Sequence, residues 1–145
     1  MAIVYLSLGT NLGVNLTENL DTCINLISKI KNTKILKKST QIKTKPIDMN
    51  SNNDFLNQVI KIETSINSLN FLKKLKDIEL NMGRKTKGDY KDRIIDIDII
   101  DFNNEIISTQ ELTLPHPKVQ NRKFVLLPLQ EIEPSWSGRS TNFLF

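Results

Sequence analysis

The chain has 145 residues, 39% of them hydrophobic and 25% charged, with a formal net charge of +4. That length favours one domain, residues 1–145, with room for a real core, and the ordinary composition excludes a disordered, fibrous or disulfide-stapled chain. The positive balance favours anionic partners, while Cys23, the one cysteine, excludes an internal disulfide or a cysteine-cluster metal site.

The opening MAIVYLSLGT has no basic leader, and its apolar run is too short for a signal peptide. No segment reaches membrane-spanning length. The expected compartment is the cytoplasm, with no membrane partner. Ala2 to Leu8 reads as a strand, nearly continuous in apolar residues as buried strands are. Gly9-Thr10-Asn11-Leu12-Gly13 reads as a turn. It lacks the Lys-Ser/Thr pair of a Walker loop and does not fit G-x-G-x-x-G. A helix is expected from Leu16 to Lys31, with Leu16, Leu20, Ile24, Ile27 and Ile30 at helical spacing and Asn15 as its cap. Lys34 to Lys45 reads as one lysine-rich edge strand, the lysines discouraging unwanted pairing. Pro46 to Asp54 is a polar loop longer than a hairpin needs.

Phe55 to Thr64 is the next strand, with Leu56, Ile60 and Ile62 on one parity and Phe55, Asn57 and Val59 on the other. Ser68 is the expected cap of a second helix running to about Met82, where Gly83 stops it. Arg84 to Asp92 is a basic loop. Beyond the next strand, Asn103-Asn104 reads as a turn, and Pro115-His116-Pro117 excludes regular helix. Phe124 to Ile132 is a short last helix, expected to break at Pro128. The order strand, helix, strand, strand, helix, strand predicts an α+β fold: a ferredoxin-like β-α-β-β-α-β antiparallel sheet with both helices on one face. The second face and a C-terminal extension are then free to build a site.

The strand Arg93-Ile94-Ile95-Asp96-Ile97-Asp98-Ile99-Ile100 is the most informative stretch. Ile95, Ile97 and Ile99 share one face and Asp96 and Asp98 the other. The two aspartate Cα atoms are then about 6.5–7 Å apart. Aspartate is a poor strand former, and neighbouring like charges destabilise a sheet. One reading is a half-buried strand with a solvated acidic face. The other is a site for a hard cation, because two carboxylates that leave places for phosphate and water are a common way to hold magnesium. Arg93 enters this strand and Arg84 stands a short loop upstream, so groups for a cation lie beside groups for an anion. His116 in a proline-flanked loop, the mid-strand Asn57, and Phe55 and Phe124 each have an ordinary structural reading as well.

Together these pieces resemble a known family. Gly9-Thr10-Asn11-Leu12-Gly13, Thr44-Lys45-Pro46, Phe55-Leu56-Asn57, Ile78-Glu79 and Gly83-Arg84 are followed by Arg93-Ile94-Ile95-Asp96-Ile97-Asp98. Leu114-Pro115-His116-Pro117, Asn121-Arg122 and Phe124-Val125-Leu126 complete the set. In this order and spacing they resemble the 6-hydroxymethyl-7,8-dihydropterin pyrophosphokinases, from residue 3 to about residue 134. The resemblance implies transfer of diphosphate from ATP to the pterin's hydroxymethyl group, leaving AMP, in folate biosynthesis. It implies two magnesium ions held by Asp96 and Asp98, and catalytic, phosphate-binding roles for Arg84 and Arg93. Phe55, Phe124, Asn57, Thr44 and Pro46 match the pterin pocket; Glu79, Tyr90, His116 and Arg122 join the two arginines at ATP-binding positions.

Three positions depart from the family pattern. Thr86 replaces a basic residue, and Lys91-Asp92 replaces Gly-Pro, which predicts a looser loop and a weaker hold on ATP. The loops Lys45–Asp54 and Gly83–Asp92 are expected to close over bound ATP. ATP and the hydroxymethyl-dihydropterin are the expected partners, with no nucleic acid, and the protein is expected to act as a monomer. An RNA-binding RRM domain shares the strand-helix order, but its Lys/Arg-Gly-Phe/Tyr-Gly/Ala-Phe-Val signature is absent, and two aspartates facing the ligand repel phosphate. An inactive relative that binds pterin or nucleotide without turnover is the remaining alternative.

Overall fold

The structure is a computed structural model, described here over residues 1–45, 53–83, 94–119 and 122–136. The described residues form a mixed α/β fold on an antiparallel sheet with three helices. Strands β1 (Ala2–Thr10), β2 (Thr33–Lys38), β3 (Ile42–Thr44), β4 (Phe55–Thr64) and β5 (Asp96–Phe102) make the main sheet, in the order β2-β4-β1-β5, with β3 also on β4. All of these pairings are antiparallel. A small hairpin of β6 (Ile107–Ser108) and β7 (Thr113–Leu114) stands beside β5.

Helices α1 (Leu16–Ser28) and α2 (Ser68–Asn81) cover one face of the sheet. Leu20, Cys23, Ile24 and Ile27 of α1, and Phe71, Leu72, Leu75 and Ile78 of α2, pack on Val4, Leu6, Leu8, Ile60, Ile62, Ile95, Ile97 and Ile99. Helix α3 (Lys123–Ile132) covers part of the opposite face, where Val125, Leu129, Ile132 and Trp136 meet Tyr5, Val59 and Ile100. Among the described residues no helix is long and apolar enough to cross a membrane.

Local chemistry explains most of the elements and five departures from expectation. Asn15 caps α1 as expected, its Oδ1 accepting from Glu18 N at 3.1 Å. The helix ends at Ser28 rather than Lys31, because Lys29 and Ile30 donate to carbonyls three residues back and the turn tightens. The cap of α2 is Asn67, not Ser68: Asn67 Oδ1 accepts from Asn70 N at 2.9 Å. Gly83 takes φ +102°, the left-handed conformation that ends the helix there.

The expected strand from Lys34 to Lys45 is two strands. At the break, Ser39 N donates to Val59 O at 2.9 Å while Ser39 Oγ accepts from Val59 N at 2.9 Å. The hydroxyl stands in for a backbone carbonyl, so the chain leaves the ladder without orphaning β4. Gly9 and Thr10 belong to β1 rather than to a turn.

Helix α3 does not break at Pro128, which is buried within it. The missing N–H leaves the Phe124 carbonyl without its helical partner. Burial of Val125, Leu129 and Ile132, worth roughly 1.5–3 kcal/mol each, exceeds the penalty of about 3 kcal/mol. The tail of α3 is also well fastened. Glu131 takes the N–H and hydroxyl of Thr40. Lys37 Nζ reaches Ile132 O at 3.3 Å. Glu133 Oε1 accepts from Tyr5 at 2.6 Å and Lys61 at 2.9 Å, and Trp136 Nε1 donates to the buried Asp101 at 2.9 Å.

Candidate active site

Strand β5 has the parity read from the sequence: Ile95, Ile97 and Ile99 are buried and Asp96 and Asp98 half-buried. A bulge then changes the pattern. Leu6 pairs Ile99 but Tyr5 pairs Asp101, so Ile100 is the extra residue. Ile100 and Asp101 therefore both turn toward α3, and Phe102 returns to the helix-covered core.

Register builds the floor of the site. Gly9 of β1 pairs Asn57 on one side and Asp96 on the other. Ser7 pairs Val59 and Asp98 in the same way. A row Asn57–Gly9–Asp96 thus crosses three strands, with no side chain at its centre. Neighbouring strands are about 4.8 Å apart, which sets the carboxamide and the carboxylate about 10 Å apart at their Cα atoms. A β-carbon on Gly9 falls 3.1 Å from Asn57 Oδ1 and 3.6 Å from the Phe55 ring. Asn57 is buried, and its Nδ2 donates to Thr44 Oγ1 at 2.8 Å and Ile42 O at 3.5 Å. The amide nitrogen is spent on β3, which leaves Oδ1 beside the gap over Gly9.

The walls come from the C-terminal third of the chain. Asp96, Asp98, Asn57, His116, Arg122 and Phe124 line one hollow together with Ser7 and Gly9. Arg122 precedes α3, and its guanidinium lies over the Phe124 ring at 5.7 Å. The segment after β7 is pinned by His116 N donating to Ile100 O at 2.8 Å. His116 Nδ1 accepts from Lys118 N at 3.2 Å, so Nε2 carries the proton of the neutral ring. Burial pushes the His116 pKa down; Asp98 opposes this, Arg122 and Lys118 reinforce it, and Asp96 opposes it.

A second hollow of about 390 Å³ adjoins the first and shares Asp98 and His116 with it. Its other walls include Leu72 and Lys76 of α2, Ile97 and Ile99 of β5, and Glu111 and Thr113 of the hairpin. Sequence reasoning missed Lys76, Glu111 and Thr113. The spacing of Leu72 and Lys76, four apart on one helix face, was the one available signal; the hairpin residues carried none.

The structure does not bring every expected residue to these hollows. Thr44 and Phe55 are not among the residues that line the first, but Thr44 bonds Asn57 and the Phe55 ring borders the gap over Gly9. Glu79 is buried under β5, where its Oε2 accepts from Ile97 N at 2.8 Å. Pro46, Arg84, Tyr90 and Arg93 lie outside the described residues, as do Thr86, Lys91 and Asp92 and most of both expected closing loops. Among the described residues no three His, Cys, Asp or Glu side chains converge as a metal cage. Two carboxylates are still a fitting set for a magnesium ion that takes its other oxygens from phosphate and water.

Fold and site together describe a mixed α/β protein with two joined concavities over its sheet. The chain belongs to the 7,8-dihydro-6-hydroxymethylpterin-pyrophosphokinase (HPPK) family, whose pattern it matches over residues 5–134. Similar proteins include the 2-amino-4-hydroxy-6-hydroxymethyldihydropteridine pyrophosphokinases of Haemophilus influenzae and Aquifex aeolicus. The first is 38% identical over 132 residues, covering 91% of this chain and 82% of the relative. The second is 38% identical over 136 residues, covering 93% and 82%. Among crystal structures, HPPK-DHPS in complex with substrates has a TM-score of 0.74 at 20% identity, covering 97% of this chain and 41% of that one. Plasmodium falciparum HPPK-DHPS wild type with pteroate has a TM-score of 0.77 at 20% identity, covering 94% and 40%. The chain spans about two fifths of those longer proteins, and the likeness to them is one of fold.

Proposed function

We propose that this chain transfers diphosphate from ATP to 6-hydroxymethyl-7,8-dihydropterin, releasing AMP, in folate biosynthesis. Family membership over most of the chain supports this, with relatives carrying that enzyme's name. The observation that carries the mechanism is the pair of hollows meeting at Asp98 and His116. One has an aromatic ring and a carboxamide for a flat heterocycle, and the other has the size and the Lys76 cation for a nucleotide. The sheet order β2-β4-β1-β5, with α1 and α2 on one face, supports the ferredoxin-like reading of the fold.

The pterin hydroxyl oxygen attacks the β-phosphorus of ATP. The bond from that phosphorus to the α,β-bridging oxygen breaks, AMP departs with the oxygen, and the hydroxyl proton is lost. The protein's work in such a transfer is positioning and charge neutralisation. Asn57 Oδ1 accepts from an N–H on the pterin edge, and Phe124 stacks on the ring. Arg122 and the His116 Nε2–H face the phosphates as donors. Asp96 and Asp98 would hold magnesium ions, which would supply charge neutralisation for the diphosphate. Arg84 and Arg93 complete the phosphate grip, Tyr90 the ATP site and Pro46 the pterin wall.

The protein acts as a cytoplasmic monomer with no nucleic-acid partner in this reading. The RNA-binding alternative is disfavoured because α3 covers part of the second face of the sheet and two carboxylates occupy its open part. The test is AMP release measured with and without hydroxymethyl-dihydropterin. Release that depends on the pterin is expected; no release above the pterin-free control refutes the reading.

A further inference from the structure

Glu79 is 3% exposed and is not among the residues that line either hollow. It extends from α2, one residue beyond the core residue Ile78. Burial raises the pKa of the Cys23 thiol of α1, and the Glu79 charge adds to that shift, which places the carboxylate inside the helix-covered core. A buried carboxylate is costly to desolvate, so its partners matter.

Its Oε2 accepts the backbone N–H of Ile97 at 2.8 Å. Among the described residues, β5 bounds the main sheet, paired with β1 and with no strand beyond it. Edge strands present backbone donors that a further strand would have satisfied. Ile97 is only 1% exposed, so water does not take that role readily. Helix α2 supplies an acceptor where a neighbouring strand would have offered a carbonyl. The peptide it grips is the one between Asp96 and Asp98.

We propose that Glu79 is a positioning residue: by holding the Ile97 peptide it sets the pitch of β5 so that Asp96 and Asp98 project together into the site. The carboxylate acts through the backbone and touches neither ATP nor metal. This deepens the proposed function and rests on its reading of the aspartates as metal ligands.

Glu79→Gln keeps a side-chain carbonyl acceptor, and Glu79→Leu removes it. Two readouts need no turnover: amide hydrogen exchange at Ile97, and Mn²⁺ binding in the presence of a non-hydrolysable ATP analogue, followed by electron paramagnetic resonance. For Glu79→Leu the expected result is loss of Ile97 protection and at least a tenfold fall in Mn²⁺ affinity. For Glu79→Gln protection persists and Mn²⁺ affinity stays within threefold of the wild type. Should Glu79→Leu not fold, Glu79→Gln carries the test alone. A tenfold loss of Mn²⁺ affinity in Glu79→Gln with Ile97 still protected overturns the proposal, because charge rather than position is then at work. Unchanged Mn²⁺ affinity in a folded Glu79→Leu with Ile97 unprotected overturns it too, as does a wild-type chain that binds no Mn²⁺. Absence of pterin-dependent AMP release from the wild type refutes the proposed function separately, and leaves Ile97 exchange and Mn²⁺ binding to judge Glu79.

Discussion

Alanine at Gly9 adds one methyl carbon to the centre of the Asn57–Gly9–Asp96 row. That carbon arrives 3.1 Å from Asn57 Oδ1 and 3.6 Å from the Phe55 ring. An ordinary carbon–oxygen contact is a few tenths of an ångström longer, so the carboxamide must shift. It has little freedom, because Nδ2 is tied to Thr44 Oγ1 at 2.8 Å. A displaced acceptor costs the pterin about one hydrogen bond, roughly 1–1.5 kcal/mol, or about a tenfold weaker affinity. Folding stability moves the other way, since alanine in a strand is favoured over glycine by roughly 0.5–1 kcal/mol through backbone entropy. Fluorescence titration of the pterin with an ATP analogue present, paired with a thermal melt, separates the two effects. Pterin affinity within twofold of the wild type, in a protein that melts no lower, would show that the bare row is not what makes room for the ligand.

Asp96→Ala and Asp98→Ala are each expected to lower turnover by about a hundredfold or more while the far-ultraviolet spectrum is unchanged; near-normal rates would remove the metal assignment. Phe124→Ala should weaken pterin binding several-fold and leave ATP-analogue binding within about twofold, as seen by calorimetry, and equal losses would contradict a stacking role. Acid should loosen the tail of α3: the Tyr5 hydroxyl first, and then Lys61, hold the Glu133 carboxyl down to about 2 from its ordinary 4.5. A depressed carboxyl contributes stability above its unfolded pKa and loses it on protonation. The melting temperature should therefore decline between pH 4.5 and pH 2, and less steeply in Glu133→Gln; identical slopes would refute the link.

The acidic face was legible because side-chain period in a strand is fixed at two, so Ile95, Ile97 and Ile99 had to oppose Asp96 and Asp98. Asn15 was legible because capping is local chemistry. What escaped depended on distant partners. Ser39 ends β2 through a hydroxyl bonded to Val59, twenty residues away. The bulge at Ile100 exists only in relation to β1. Gly9 reads as a turn residue because the run from Gly9 to Gly13 is rich in Gly and Asn, and its use emerges only when Asn57 and Asp96 flank it. Glu79 stood at an ATP-binding position through its place in the family pattern alone; its burial against an edge strand with a donor to satisfy emerges only in the fold. Lys76, Glu111 and Thr113 become neighbours only once α2 and the hairpin are packed on β5.

Among the described residues, the side-chain bonds that fasten helix α3 to the sheet gather at its C-terminal end. Its last turn is bolted to β1, β4 and the β2–β3 link, while Arg122 at the front has no side-chain cap and Pro128 leaves the Phe124 carbonyl without a helical donor. The opposite end, which carries the Phe124 ring of the proposed pterin pocket, is seated by the packing of Val125. Fastened from its far end, the helix presents Phe124 to the hollow while its polar anchors stay out of the site.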